Sequence, residues 1–380
     1  MEKSKLGKTD FEVSRFALGT MTFGAQDSAA EAHAQLDTAI AAGITLLDTA
    51  ELYPAPANAA SYGQSERIVG QWLARSGQRQ QLVIATKVAG PAAFVPWIRG
   101  GRSRHDGANL RVAVEGSLTR LGVDCIDILQ LHWPDRATNF FGQRGFKAPH
   151  QESTFSVEAS LRALQDLIAA GKIRHLGIAN ETPWGMAEFL RLAALYELPR
   201  IVAIQNPYNL LNRGFESGLA EIAWREQCGL LAYGPLAGGL LSGKYVDAQV
   251  SNEARLVRHA RHYRQFTGPA AHSASARYVA IARQAGLEPA AMALAFVASK
   301  PYVTSVIIGA TTAAQLVCNL RARPRSNCPA TSCAPSTPCT RRSRTRVPDA
   351  CCHSAAVGTH RSVAARRPLC PPHRRVAHHL

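Results

Sequence analysis

Between residues 17 and 320 the sequence alternates short apolar segments with longer segments of helical periodicity, and it does so eight times. Runs of Ile, Leu and Val without polar alternation are typical of strands buried on both faces of a parallel sheet. The predicted strands cover residues 16–20, 44–48, 82–87, 126–132, 173–180, 201–205, 230–233 and 304–309. The predicted helices cover residues 31–42, 65–74, 109–121, 156–170, 184–196, 216–227, 275–285 and 312–320. Ser65 and Gly77 are predicted to open and close the second helix.

Eight strand–helix units in a body of this length predict an α/β fold of the closed (β/α)8 type, the TIM barrel. A doubly wound sheet is the competing architecture, but the regular units leave no second domain for it. The turn that begins at Gly7 predicts a small hairpin over residues 5–15, ahead of the barrel. Three long segments, 89–106, 134–155 and 244–273, follow strand ends, where barrel enzymes build their active sites.

The composition changes after residue 320. Residues 321–380 hold 12 arginines, no lysine and one acid, Asp349, so they supply most of the formal net charge of +16. They also hold six of the nine cysteines. We therefore divide the chain into a barrel (1–320) and an Arg/Pro/Cys-rich tail (321–380), predicted to be disordered. A shifted reading frame in GC-rich DNA is our preferred explanation of the tail. A zinc or nucleic-acid module is disfavoured, because the cysteine spacings match no zinc template and no aromatic residues interleave the arginines.

The body of the chain has the composition of an ordinary globular protein, with 46% hydrophobic and 18% charged residues overall. Residues 1–8 lack the apolar run of a signal peptide, and no apolar stretch is long enough to cross a bilayer. Three scattered cysteines in the body suit a reducing compartment. We expect a cytoplasmic protein that acts on a small molecule, with no metal centre and no nucleic-acid or membrane partner.

Four polar residues stand at or near the ends of neighbouring predicted strands. They are Asp48, Tyr53, Lys87 and His132. Because these strand ends meet at one end of a barrel, the four side chains are expected to converge. A phenol with a pKa near 10 is a poor acid at neutral pH. A nearby ammonium, held by a carboxylate, would lower that pKa, and an imidazole would orient a substrate carbonyl. Each residue alone has an ordinary structural explanation, such as a helix cap or a packing role, so the prediction depends on all four together.

Motifs along the body resemble those of the aldo-keto reductase superfamily. They include Asp48-Thr-Ala-Glu-Leu-Tyr, Ala85-Thr-Lys, Gln130-Leu-His-Trp, Gln205-Asn-Pro-Tyr-Asn and Gly309-Ala-Thr-Thr. The segment His132-Trp-Pro-Asp-Arg-Ala-Thr-Asn is most similar to the bacterial Tas-type branch. The resemblance covers residues 1–320 and excludes the tail. It implies a barrel enzyme that reduces aldehydes or ketones with NADP(H).

The resemblance also implies a role for each matching residue. Tyr53 would be the general acid, tuned by Lys87 and Asp48, and His132 would bind the carbonyl. Tyr233 would stack on the nicotinamide, while Asn180 and Gln205 would bind its carboxamide. The remaining implied cofactor contacts are Gly19, Thr20, Met21, Asp48, Pro235, Leu236, Gly238, Lys244, Arg255, Gly309, Thr311, Gln315 and Asn319. The family pattern is broken at Ala179, Gly234 and Cys318, and no basic residue directly follows Gly309-Ala310 to bind a 2′-phosphate.

Three functions follow from this pattern. The first is an active NADPH-dependent carbonyl reductase, which the intact tetrad favours. The second is a cofactor-binding regulatory subunit similar to potassium-channel β subunits, since one fold hosts many functions. The third is a weakly active reductase damaged at its C-terminus, because the tail replaces the segment with which relatives shape the substrate pocket. The natural substrate and the oligomeric state are not predicted.

Overall fold

A short hairpin closes the N-terminal end of the molecule's main sheet. The computed structural model describes residues 1–141, 143, 145–150, 156–246, 250–252, 254–261 and 263–321. Strands β1 (Lys3–Lys5) and β2 (Glu12–Ser14) pair in antiparallel fashion, so the predicted hairpin is confirmed. At its turn, Gly7 has φ 56°, and a Cβ there would lie 2.4 Å from the Val202 carbonyl oxygen. Only glycine fits this close approach in a left-handed conformation.

Eight parallel strands form a closed barrel in chain order, with the last strand paired to the first. The predicted (β/α)8 fold is therefore confirmed. The strands are β3 (Phe16–Gly19), β4 (Leu46–Asp48), β5 (Val83–Val88), β6 (Ile126–Leu131), β7 (Ile173–Ala179), β8 (Ile201–Pro207), β9 (Gly229–Tyr233) and β10 (Val303–Ile308). They are buried on both faces because helices cover the outside of the barrel, which explains their continuous apolar sequences.

Helices follow the strands, as the sequence predicts. They are α1 (Ala29–Ala41), α2 (Gln64–Ser76), α3 (Gly107–Leu121), α4 (Val157–Ala169), α5 (Pro183–Leu195), α6 (Leu219–Arg225), α7 (Arg255–Arg258), α8 (Arg264–Thr267), α9 (Pro269–Gln284), α10 (Pro289–Ala298) and α11 (Ala313–Arg321). Short 3₁₀ helices cover Arg79–Gln81, Ile98–Gly101, Gly214–Glu216 and Ala237–Ser242. Among the described residues, no helix is long and apolar enough to cross a membrane.

Several local predictions differ from the structure. Ser65 does not open α2: the residue before the helix is Gly63 in a left-handed conformation, and the Ser65 hydroxyl bonds the Thr20 carbonyl at 2.8 Å instead. The helix predicted over 216–227 is split, because Gly218 has φ 98° between the 3₁₀ turn and α6. The sequence-based assignment also missed α10, whose almost wholly apolar sequence lacks a polar face. The predicted tail lies outside the described residues, apart from Arg321 at the end of α11.

The barrel interior changes character along its axis. One apolar cluster contains Leu6 and Val13 of the hairpin together with inward-facing strand residues. These strand residues are Ala17, Leu46, Ala85, Ile128, Ala203, Leu231 and Ile307. Two residues further along their strands, towards the C-terminal end, stand Asp48, Lys87, Gln130 and Gln205, all buried. Because side chains alternate along a strand, these polar residues also face inward, one layer above the apolar cluster.

Candidate active site

The four predicted catalytic residues come together at the C-terminal end of the barrel. Asp48 is the last residue of β4, Lys87 lies in β5, and His132 directly follows β6. Tyr53 lies in the loop after β4, which turns back over the barrel mouth. All four side chains are buried, and Lys87 has no exposed surface.

The Lys87 ammonium is the centre of the site. It donates hydrogen bonds to Asp48 Oδ2 at 2.7 Å, to the Thr49 carbonyl oxygen at 2.7 Å, and to the Tyr53 hydroxyl oxygen at 3.3 Å. An ammonium has three donors, so all of them are used. Since the Tyr53 oxygen accepts from Lys87, the phenol keeps its own O–H as a donor. That arrangement is what a proton donor to a substrate requires.

The pKa of Tyr53 moves in the direction opposite to the prediction. Burial raises it well above its usual value of 10, and the Asp48 carboxylate and Tyr263 raise it further. The sequence predicts a lowered pKa because it places an ammonium beside the phenol, but it does not reveal that the phenol is buried. Tyr53 is therefore a neutral phenol at pH 7. The pKa of Lys87 is lowered by the same burial, and Asp48 opposes this change.

His132 lies against Tyr53, with the two ring centroids 5.7 Å apart in an edge-on arrangement. Burial lowers the pKa of His132 well below 6.5, and Lys87 and His105 lower it further. A neutral imidazole offers one N–H donor and one acceptor. Its Nδ1 atom is buried without a hydrogen-bond partner among the described residues. Because the neutral ring lies against Tyr53, its N–H is the donor that an incoming carbonyl oxygen beside the Tyr53 hydroxyl would meet.

Aromatic rings surround the open side of His132. Trp133 and Phe141 lie 5.0 Å and 6.3 Å from its ring. Phe94, from the β5–α3 loop, lies 5.6 Å from the Trp133 ring. Phe141 has φ 51°, a conformation that bulky residues rarely adopt and that is most often found at functional sites. Phe94 and Phe141 are about half exposed, so they present apolar ring surface next to the catalytic residues.

Amide side chains form hydrogen bonds with the tetrad residues. Gln205 Nε2 donates to Asp48 Oδ1 at 2.7 Å. Asn180 donates to the His132 carbonyl oxygen at 2.8 Å and accepts from the Tyr233 hydroxyl at 2.7 Å. Asn180 also has φ 56°, which asparagine tolerates better than most residues. Three residues that the resemblance assigns to the nicotinamide therefore lie directly beside the tetrad.

Gln130 is a member of this network that sequence reasoning missed as a site residue. Its Nε2 atom donates to Asp48 Oδ1 at 3.2 Å, and its Oε1 atom accepts from Gln205 at 3.2 Å. The available signal was a polar residue inside an otherwise apolar buried strand.

Glu51 was also missed, although it lies between Asp48 and Tyr53 in the sequence. Its fully buried carboxylate accepts from both terminal nitrogens of Arg99, at 2.8 and 3.0 Å. It also accepts from the Ala89 amide at 2.6 Å and from the Tyr62 hydroxyl at 2.9 Å. Bidentate pairs of this type fix geometry strongly. The pair fastens the loop that carries Tyr53 to the long loop after β5.

The remaining predicted cofactor residues surround the same end of the barrel. Gly19 ends β3, and Thr20 and Met21 follow it; Pro235, Leu236 and Gly238 follow β9; Gly309 and Thr311 follow β10; Gln315 and Asn319 lie in α11. Thr311 Oγ1 donates to Gln315 Oε1 at 3.0 Å, so two of these residues contact each other. Among the described residues, no hydrogen bond joins Thr311, Gln315 or Asn319 to the tetrad, so this group lies apart from it.

Lys244 and Arg255 form a positively charged pair. Burial and the neighbouring Arg255 both lower the pKa of Lys244. Neither side chain has an ion-pair partner among the described residues. Gly239, with φ 98°, packs so closely that a Cβ there would lie 2.8 Å from Lys244 Cε. Burial raises the pKa of Asp27, and the nearby Arg255 opposes this rise, so one acidic group lies close to the pair. Two neighbouring cations suit a phosphate-bearing ligand.

The barrel, the buried Asp–Lys–Tyr cluster and the adjacent histidine define a class of protein, and comparison with known families agrees. The model of the Aldo/keto reductase family matches residues 15–329. The chain therefore belongs to this family of oxidoreductases.

Relatives match the chain over most of its length. The "Protein tas" of Escherichia coli is 46% identical over 321 residues, which cover 84% of this chain and 92% of that protein. This similarity confirms the predicted resemblance to the Tas-type branch. An "Aldo-keto reductase" of Babesia bovis is 38% identical over 248 residues, covering 62% of this chain and 87% of the relative. A "Probable voltage-gated potassium channel subunit beta" of rice is 30% identical over 333 residues, covering 85% and 91%.

Proposed function

We propose that this protein reduces the carbonyl group of small aldehydes or ketones to alcohols, with NADPH as the reductant and Tyr53 as the proton donor. One observation carries the proposal: Lys87 Nζ lies 2.7 Å from Asp48 and 3.3 Å from the Tyr53 hydroxyl, beside the His132 ring at the open end of the barrel. When bound, the nicotinamide supplies a hydride, that is, a proton and two electrons, to the carbonyl carbon.

Each residue of the tetrad has a defined part in the proton transfer. The substrate's carbonyl oxygen would lie within reach of the Tyr53 O–H and of the neutral His132 imidazole, which would orient it. As negative charge develops on that oxygen, Tyr53 gives up its proton. The phenolate left behind is stabilised by the Lys87 ammonium that it already contacts. Asp48 holds Lys87 in place and balances its charge. Solvent then returns a proton to Tyr53.

Two features support the proposed cofactor site: its positive charges and the space left by its glycines. Lys244 and Arg255 would hold phosphate groups, and Asn180, Gln205 and Tyr233 would meet the nicotinamide end. Gly19 at the end of β3, and Gly238 and Gly309 after β9 and β10, would line this site, since glycine permits close backbone approach. The residues Thr20, Met21, Pro235, Leu236, Thr311, Gln315 and Asn319 would complete the contacts. NADPH rather than NADH is proposed because the family resemblance implies it.

A regulatory role is the second candidate function. It is favoured by the similarity to the rice protein whose name describes a potassium-channel β subunit. A binding subunit needs the cofactor site but not efficient turnover, so the two functions differ in catalytic rate. The buried tetrad favours chemistry. We also propose that the protein acts in the cytoplasm on a small-molecule substrate, without a nucleic-acid partner.

The test is a titration of the full-length protein with NADPH, followed by nicotinamide fluorescence, and then addition of 4-nitrobenzaldehyde. An aromatic aldehyde is chosen because Phe94 and Phe141 line the approach to His132. Saturable binding followed by NADPH oxidation is the expected result. Binding without oxidation would contradict the reductase proposal and favour the regulatory role. A folded sample that binds no NADPH would contradict both and favour the C-terminally damaged reductase.

A further inference from the structure

Gln130 occupies the centre of the polar layer inside the barrel. It is fully buried in β6, and its register partners are Lys87 on β5 and Gly177 on β7. An uncharged amide in this position loses its hydration, so it is tolerated only if its polar atoms find partners. Both do: the NH₂ group donates to Asp48 and the carbonyl oxygen accepts from Gln205.

The contacts form a closed triangle. Gln130 Nε2 and Gln205 Nε2 both donate to Asp48 Oδ1, at 3.2 and 2.7 Å, while Gln205 also donates to Gln130 Oε1 at 3.2 Å. Lys87 takes the other carboxylate oxygen, Oδ2, at 2.7 Å. Both oxygens of Asp48 are therefore fixed from opposite sides, so the carboxylate cannot rotate without breaking a buried hydrogen bond.

Space for Gln130 is provided by its neighbour on β7. A Cβ placed on Gly177 would lie 2.9 Å from Gln130 Cγ and 3.3 Å from the Ala203 carbonyl oxygen. Any larger residue at 177 would displace the base of the glutamine side chain. The barrel therefore leaves one strand position empty in this layer, and the Gln130 side chain fills the space.

We propose that Gln130 is a positioning residue for proton transfer: it holds the Asp48 carboxylate oriented towards Lys87 and links it to Gln205. The proposal rests on the proposed function, because Lys87 matters here through its contact with Tyr53. Donated hydrogen bonds stabilise the ionised carboxylate. An ionised, fixed Asp48 keeps the Lys87 ammonium charged and directed at the Tyr53 oxygen. Through Gln205, the same network reaches the expected nicotinamide site.

The test compares Gln130→Glu with Gln130→Met, both close in size to glutamine. In Gln130→Glu the introduced carboxyl group can still donate to Asp48 while it is protonated, whereas its ionised form faces a second carboxylate. Turnover of Gln130→Glu should therefore approach that of the wild type at low pH and fall roughly tenfold per pH unit once the introduced carboxyl group ionises. Gln130→Met should be slowed about tenfold at every pH, a small part of the roughly 10²–10⁴-fold that a general acid contributes.

A second measurement uses the cofactor-free protein. The neighbouring Asp48 carboxylate raises the pKa of the introduced carboxyl group in the folded state above its unfolded value. The free energy of unfolding of Gln130→Glu should then be greatest at low pH and decrease as the pH rises through the folded-state pKa of that group. Gln130→Met should show no such change relative to the wild type. Ile128→Val, one layer below on the same strand, is the packing control and should leave both pH profiles unchanged.

The proposal is overturned if Gln130→Glu and Gln130→Met have the same pH profile in turnover. It is also overturned if the two variants have parallel profiles of unfolding free energy, because the amide would then serve packing alone. A wild-type protein that binds NADPH but does not oxidise it would instead contradict the proposed function. In that case the pH dependence of unfolding still decides whether residue 130 acts on Asp48.

Discussion

The two ends of the barrel interior are built from the same strands but from different kinds of residue. At the N-terminal end, Leu6 and Val13 of the hairpin are fully buried and pack on a buried apolar layer. At the C-terminal end, the layer contains Asp48 and Lys87 joined by a buried ion pair. The change occurs within two residues along a strand, for example from Leu46 to Asp48 on β4.

This difference separates stability from chemistry. Burying apolar side chains stabilises the fold by roughly 25 cal/mol per Å². Burying an ion pair contributes little, because the desolvation of both charges offsets their attraction. The polar layer is therefore not explained by a gain in stability, and in the proposed function it supplies the groups for proton transfer. Barrel enzymes in general place stability at the N-terminal face and catalysis at the C-terminal face.

The largest effect is expected from Lys87→Met, which breaks the polar layer. Removing one partner leaves the Asp48 carboxylate buried without its cation, so the free energy of unfolding should fall by about 3–5 kcal/mol. Turnover should be lost as well. Urea unfolding and NADPH oxidation measure the two effects. The matched control is the double variant Lys87→Met/Asp48→Asn, whose uncharged amide oxygen can still accept from Gln205 and Gln130, and which should regain stability but not activity. A single variant as stable as the wild type would show that the pair is not desolvated.

Leu6→Ala at the apolar end is expected to lower the free energy of unfolding by a similar or smaller amount. Shortening a fully buried leucine side chain leaves a cavity, so the free energy of unfolding should fall by about 2–5 kcal/mol. Turnover per folded molecule at saturating substrate should remain that of the wild type, since the hairpin lies at the opposite end from Tyr53. A change in the pH profile of turnover would contradict the separation of the two ends.

The buried His105 at the polar end is expected to have a smaller effect on the free energy of unfolding. Burial and the nearby Arg99 lower the pKa of His105 to about 3, while its unfolded value is near 6.5. Between these values only the unfolded state binds the proton, so stability is fully present above pH 6.5 and decreases as the pH falls. The slope is about 1.4 kcal/mol per pH unit for one group. His105→Gln should remove this contribution, measured by urea unfolding between pH 7 and 4.5. If His105→Gln has the same slope of unfolding free energy against pH as the wild type, His105 does not have the lowered pKa.

The sequence predicts the barrel because its signal is local and repeated. Each buried strand has its own apolar run, and several helices begin at a capping residue or end at a glycine. Helix α10 was not predicted because a helix buried on all sides has no amphipathic pattern. Ser65 was wrongly predicted to open α2. A serine can cap a helix or, as here, hydrogen-bond a neighbouring strand end through its hydroxyl.

The site was predicted as a set of residues but not as an electrostatic environment. Asp48, Tyr53, Lys87 and His132 all stand at recognisable strand ends, and the structure brings them together. The direction of the Tyr53 pKa shift was wrong, because burial depends on loops folded over the barrel mouth and leaves no pattern in the local sequence. Gln130 was missed as a site residue for a related reason: its partners, Asp48 and Gln205, are 82 and 75 residues away in the chain.

In the proposed function, the polar end of the barrel delivers a proton from Tyr53. The most direct measurement is the oxidation of NADPH by Tyr53→Phe in the presence of 4-nitrobenzaldehyde, with NADPH binding followed by fluorescence in the same samples. Phenylalanine preserves the ring and removes only the hydroxyl. The predicted result is a loss of turnover of about 10²–10⁴-fold with near-normal NADPH binding. Turnover close to that of the wild type, with NADPH bound, would contradict the account.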